Sequence, residues 1–171
     1  MRQSRHIQQK WVWQTIPSRS QFATLNDHLM TVRMANLQDV AAIARLSDEL
    51  GYPCDAAAIE ARVRKVTAQK HHLLLVAQND RGEVCGWLHA FGADYIESGF
   101  RVELAGLVVA KAAQRSGIGS RLVGEAERWA RGIGAEFISV RSNINRAESH
   151  PFYQKLGYEL KKTQQVYRKR L

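Results

Sequence analysis

The residues with the clearest chemical potential are Gln114, Arg115, Ser116, Gly117, Ile118, Gly119 and Ser120, which follow an apolar run and open directly into an amphipathic segment. That position suits an anion. The first turn of a helix leaves several N–H groups without intrahelical partners and carries partial positive charge. Glycine at 117 and at 119 removes side chains where a phosphate oxygen would approach the backbone. The spacing is not that of a dinucleotide fingerprint, whose third glycine position holds Leu122, nor of a nucleotide P-loop, which needs Gly-Lys followed by Ser or Thr.

The cradle needs a fixed strand before it and a fixed helix after it. Leu104 to Ala110 reads as a buried strand, and Ile118, Leu122, Ala126, Trp129 and Ile133 recur at spacings of 4, 4, 3 and 4, which lines them up on one helix face. Phe137 to Val140 reads as a further buried strand, so strand, crossover helix and strand imply parallel neighbours. Upstream, Thr31 to Met34 can form a strand, and Asn36 with Asp39 can cap a helix carrying Val40, Ile43, Leu46 and Leu50 until Gly51 and Pro53 end it. Asp55 can cap a second helix with Ile59, Val63 and Val66 inside.

Two strands, His72 to Ala77 and Val84 to Ala90, are joined by Asn79-Asp80-Arg81-Gly82, and a link from Gly92 to Arg101 leads to the central strand. After Asn143, Pro151 favours a helix start near Ser149 or His150, ending at Gly157. Tyr158 to Lys161 and Gln165 to Arg170 then read as short terminal strands around a turn at Thr163-Gln164.

The chain has 171 residues, enough for one domain with a sizeable core, and its 45% hydrophobic and 24% charged content is that of a globular protein. Residues 1–29 show no sustained apolar period and are expected to be an irregular basic arm, with the folded domain over residues 30–171. No apolar run reaches the length of a membrane span. Cys54 and Cys85 are too few for a disulfide framework and lack metal-ligand spacing, so no metal is expected and the cytoplasm is the default location. The formal net charge is +9; lysines and arginines are scattered and no nucleic-acid-reading motif is present, so neither nucleic acid nor membrane is an expected partner. The positive sign also disfavours a polycationic substrate, which an acidic cleft would hold better.

Three blocks in order resemble the GNAT superfamily of acetyl-CoA-dependent N-acetyltransferases from about Thr31 to Leu171. Gly106-Leu107-Val108-Val109 resembles its fourth strand, Gln114-Arg115-Ser116-Gly117-Ile118-Gly119 its pyrophosphate loop, and Arg141-Ser142-Asn143 with His150-Pro151-Phe152-Tyr153 through Leu156-Gly157-Tyr158 its last block. The resemblance implies an α/β (α+β) fold: a mixed, mostly antiparallel sheet with a central, splayed parallel strand pair and helices on both faces. It implies acetyl-CoA as cofactor, with pantetheine on the backbone of Leu107, Val108 and Val109, the pyrophosphate on residues 114–120, and Asn143 near the pantetheine or an ordered water.

Acetyl transfer to an amine needs a base for the nitrogen, stabilisation of the thioester oxygen and an acid for the departing thiolate. By resemblance Glu103, eleven residues before Gln114, is the base; its apolar sequence neighbours would strengthen it as a proton acceptor. Tyr153 is the acid by resemblance, the Leu107 N–H the oxygen donor, and Tyr52, Tyr95 and Phe100 wall the acceptor. Cys85, in an apolar strand, does not favour a covalent acetyl-enzyme. The expected reaction is direct acetylation of a primary amine in a ternary complex, the acceptor being a small molecule; protein lysine or N-terminal acetylation and a non-catalytic acyl-CoA-binding module are the alternatives. Members of the family are often homodimers.

Overall fold

The computed structural model describes residues 30–171; the expected basic arm, 1–29, lies outside them. Strand β1 (Met30–Met34) leads through a 3-10 turn into α1 (Val40–Glu49), followed by α2 (Ala56–Thr67), β2 (His72–Asn79), β3 (Val84–Tyr95), β4 (Gly99–Val109), α3 (Ile118–Gly132), β5 (Ile138–Val140) and α4 (Ser149–Lys155). Both predicted caps form, the first on the 3-10 turn Leu37–Asp39 that leads into α1 and not on α1 itself. Asn36 and Asp39 make a reciprocal capping box, and the Asp55 carboxylate accepts from the Ala58 N–H at 2.6 Å, satisfying donors that a helix start leaves orphaned.

The five strands lie in the order β1-β2-β3-β4-β5, antiparallel except for the parallel β4–β5 pair. Because side chains alternate along a strand, the apolar run of β2 supplies both faces. Leu73, Leu75 and Ala77 pack with Ile118, Leu122, Val123, Ala126 and Ala130 of α3. Leu74 and Val76 pack with Ile43 and Leu46 of α1 and Ile59 and Val63 of α2. Helices therefore cover both faces, as expected for this mixed α/β fold.

Three expectations are corrected. The link expected from Gly92 to Arg101 is mostly strand: β3 runs to Tyr95 and β4 starts at Gly99, with Gly92↔Val102 and Tyr95↔Gly99 in register. Cross-strand pairing overrides the breaker signal of Gly92 and Gly99. The terminal strands at 158–161 and 165–170 do not form; residues 158–171 carry no regular structure and 159–171 are exposed throughout. Strand propensity is expressed only when a segment finds a ladder partner and buries a face, and here Leu160, Val166 and Tyr167 stay exposed. The parallel pair consequently lies at one end of the strand order, with β5 at the edge, rather than in its centre. No helix of the described residues is long and apolar enough to cross a membrane.

On the α1/α2 side of the sheet, His72 Nδ1 lies 3.1 Å from His89 Nε2, and both rings stand near Phe91. Burial, and then the neighbouring His72, push His89 down to about 4 from an ordinary 6.5. Below pH 6.5 the unfolded chain takes up a proton that folded His89 refuses until about pH 4, so the native state loses stability as pH falls through that window. His72 shifts in the same direction. We expect His89→Gln to flatten the dependence of Tm on pH between 6.5 and 4 relative to the unsubstituted protein, as measured by calorimetry.

Candidate active site

The site begins at a bulge in β4. His89 pairs with Gly106 but Ala90 pairs with Leu104, which leaves Ala105 as the extra residue. The bulge reverses the alternation, so Val102 and Leu104 before it and Leu107 and Val109 after it all join the α3-side cluster. It also marks the parting of the strands: β5 pairs with β4 only from Val102↔Ile138 to Leu104↔Val140. From Ala105 to Val109 that edge of β4 has no strand beside it among the described residues.

The free edge has a definite polarity. The Ala110 N–H donates to the Cys85 carbonyl on β3 at 2.8 Å, so alternation turns the groups of Val108 toward β3 and those of Leu107 and Val109 toward the gap. The Val109 carbonyl there accepts the Gln114 side-chain amide at 3.2 Å, tying the loop to the strand. A cavity of about 140 Å³ lies in the gap, lined by Glu49, Leu50, Leu107, Val108, Val109, Lys111 and Gln114. A larger open hollow, about 550 Å³ between Ala44 and Asp55, has no β4 residue in its lining.

In the 114–120 loop, the Gln114 N–H donates to the Lys111 carbonyl at 3.4 Å. Arg115 and Gly117 adopt positive φ of 62° and 86°, and the first bond of α3 runs from the Arg121 N–H to the Gly117 carbonyl at 3.0 Å. Among the described residues the N–H groups of Arg115, Ser116, Gly117, Ile118, Gly119 and Ser120 have no acceptor. Six unpaired donors at a helix start are a fit site for a pyrophosphate. The two glycines have different reasons: Gly117 permits the left-handed backbone, whereas a Cβ on Gly119 would come within 3.2 Å of the Phe152 ring. Gly119 is thus the seat on which α4 docks, and its openness toward an anion is only part of its role.

Glu103 is 4% exposed and projects to the side of the sheet opposite Val102 and Leu104. Its surroundings correct the sequence expectation: the carboxylate is held by cations and a phenol instead of lying among apolar groups. Arg101 Nε donates at 3.0 Å, the Tyr95 hydroxyl at 3.4 Å, and Arg141 Nη2 stands at 3.5 Å. All of these contacts fall on Oε1. Oε2 has no partner among the described residues and is not sealed from solvent. Arg101 was legible as a neighbour of Glu103, since i and i+2 share a strand face; Arg141 arrives only through the parallel register with β5.

Tyr153 packs edge-on to Phe152 and Tyr158, and its hydroxyl has no hydrogen-bond partner among the described residues. Burial raises its pKa, with Arg146 pulling partly back, so the phenol stays protonated at neutral pH. It belongs to the α3-side cluster, which leaves β4 between it and Glu103. Of the expected acceptor wall, Tyr95 reaches Glu103 and carries Arg101 stacked 3.5 Å from its ring centroid. Phe100 lies on the other face, against His71 and Gly92, so the structure does not bring it beside Glu103. Tyr52 is 66% exposed; its segment is anchored near the gap by Arg146, which donates to the Leu50 carbonyl at 2.9 Å. Asn143 accepts from the Asn145 N–H at 2.9 Å in a turn contact, and its amide nitrogen has no partner among the described residues.

The family model of the acetyltransferase (GNAT) family matches residues 19–158. The chain belongs to the GNAT family. Among curated proteins, this GNAT chain is 29% identical over 105 residues to an uncharacterised N-acetyltransferase, YhdJ, of Bacillus subtilis, across 60% of the chain and 74% of that protein. It is 35% identical over 94 residues to the aminoalkylphosphonate N-acetyltransferase of Salmonella typhimurium, across 52% of the chain and 56% of the relative, so that match spans little more than half of the relative's length. Among solved structures, an aminoglycoside 6'-N-acetyltransferase of Acinetobacter baumannii superposes with a TM-score of 0.73 at 21% identity, covering 83% of this chain and 99% of that one. An aminoglycoside N-acetyltransferase in complex with CoA superposes at 0.75 with 22% identity, covering 83% and 95%. At these identities the two structures establish the shared fold.

In this GNAT domain the loop glycines make separable predictions. Gly117→Ala forces a Cβ into the left-handed region and is expected to cost about 1–2 kcal/mol. Gly119→Ala lowers stability through Phe152, and Phe152→Leu is expected to recover part of that loss while recovering none for Gly117→Ala. Urea denaturation of the single and double variants measures both couplings.

Proposed function

We propose that this protein transfers the acetyl group of acetyl-CoA to the primary amine of a small molecule, directly and within a ternary complex. The observation that carries this reading is the set of backbone donors left unpaired among the described residues where the strands part: Leu107 and Val109 on one side of the gap and residues 115–120 at the start of α3 on the other. Diphosphate and pantetheine are chemically matched to those two sets. The acceptor class follows the Salmonella relative, an aminoalkylphosphonate N-acetyltransferase.

When bound, acetyl-CoA supplies an acetyl thioester open to attack by an amine. In this reading the 115–120 amides hold its pyrophosphate, Arg115 adds a nearby positive charge, and the outward groups of Leu107 with the Val109 N–H fix the pantetheine. The Leu107 N–H donates toward the thioester oxygen as charge builds there. Glu103, anchored through Oε1, offers Oε2 to the proton of the incoming amine directly or through one water. Tyr153, kept protonated by burial, donates toward the leaving sulfur from the opposite side of β4. Asn143 keeps an amide nitrogen for pantetheine or an ordered water. The base and the acid are thus divided by the strand, and the group to be transferred has its place in the gap. We place the reaction in the cytoplasm, where the two free cysteines remain reduced.

Free-thiol release from acetyl-CoA, followed with a panel of amines, tests the proposal. Glu103→Gln is expected to lower kcat by about 100-fold or more with coenzyme A affinity retained. Tyr153→Phe is expected to slow release by about tenfold to 100-fold. If coenzyme A binds and neither substitution slows release, the chain binds acyl-CoA without using these groups for turnover, and the catalytic reading is wrong.

A further inference from the structure

The charges around Glu103 do not balance, and the imbalance bears on what the acceptor must be. Arg101 and Arg141 both face one carboxylate, giving the cluster a net charge of about +1 at neutral pH. Among the described residues no other carboxylate pairs with either guanidinium. The two arginines are held very differently. Arg101 is 19% exposed in its side chain, stacks on Tyr95, donates to Ser98 Oγ at 3.2 Å and bonds Glu103 at 3.0 Å. Arg141 is 67% exposed and reaches Glu103 only at 3.5 Å.

Arg141 also stands where a selector is needed. It directly follows β5, one residue past the Leu104↔Val140 pair at which the strands part. An acceptor that engages Oε2 of Glu103 meets a carboxylate whose other oxygen lies 3.5 Å from this exposed guanidinium. A primary amine arriving as an ammonium ion is repelled by the surplus positive charge unless it brings an anion of its own, and a planar guanidinium is the side chain best matched to a carboxylate, phosphonate or phosphate.

We infer that the acceptor is an amine carrying its own anionic group, and that Arg141 binds that group while Arg101 stays on Glu103. The inference rests on the acetyl-transfer reading above and narrows it. Binding exchanges the loose Arg141–Glu103 contact for a stronger one to the acceptor, which sets the amine toward Oε2. A polycationic amine meets two guanidinium groups and gains nothing from Arg141. Arg141 acts here in acceptor binding and positioning; the proton transfer remains with Glu103.

The test uses the full chain and four amines that share one aminoethyl group and end in a carboxylate, a phosphonate, a hydroxymethyl or a second aminomethyl group, with thiol release as readout. The anionic pair should exceed the alcohol at least tenfold in kcat/KM, with the diamine poorest; the ranking within the anionic pair tells which anion is preferred. Arg141→Gln should raise KM for the anionic amines about tenfold or more with kcat changed less than threefold, and its loss in kcat/KM for them should exceed that for the alcohol at least tenfold. Arg141→Lys should recover part of the KM, as a point charge replaces a fork. A diamine used as well as the anionic amines, or an Arg141→Gln loss equal for anionic and neutral amines, overturns the inference while leaving acetyl transfer standing. Absence of thiol release with every amine, with coenzyme A still bound in calorimetry, overturns the acetyl-transfer reading and this inference with it.

Discussion

The structure turns on a backbone accounting problem at β4. Buried or half-buried N–H and C=O groups must find partners, and from Val102 to Leu104 this strand has them on both sides, from β3 and from β5. At Ala105 an extra residue enters, the pairing with β5 stops, and the groups of Leu107 and Val109 are left facing a gap. A sheet edge of this kind is a template for whatever extended group can pair with it. It lies beside a helix start with six N–H groups unpaired among the described residues, and the two features together suit an extended arm that ends in an anion, where either alone would be an ordinary structural irregularity.

The bulge solves a packing problem in the same step. With strict alternation, Leu104 and Leu107 would project to opposite faces; with one added residue they share the α3 side, so the strand stays anchored while it turns away from its neighbour. Rigidity follows from the apolar contacts on both sides of the sheet, where Leu46, Val76, Leu88, Val102, Leu122 and Val123 are fully buried. The site is consequently built from a fixed scaffold whose polar groups are left open at one end.

Glu103 shows how a carboxylate can be both buried and available. Three side chains converge on one oxygen, and the other has no partner among the described residues. A buried charge without such donors would be too costly to keep, and one with both oxygens bound would have no acceptor capacity left. The asymmetry between a pinned Arg101 and an exposed Arg141 gives the cluster one part that holds still and one that can exchange partners.

Much of this was legible in the residues alone, for physical reasons. Helix periodicity from Ile118 to Ile133, the capping pairs at Asn36 and Asp55, the continuous apolar run of β2 and the glycines of the loop each express a local preference that tertiary packing preserved. What stayed hidden depended on contacts between distant segments. The register that carries Arg141 to Glu103, the bulge that parts β4 from β5, the His72–His89 pair and the Phe152 ring over Gly119 exist only once strands and helices are placed side by side. The terminal segment makes the same point in reverse: its residues suit strands, but without a partner edge and an apolar face to bury, local preference produced none. Sequence determined most of the segments that become elements and where the glycine loop opens a helix; tertiary structure decided whether the terminal segment found a ladder and which charges face one another, because a side chain's electrostatic neighbours are set by register and packing and not by its place in the chain.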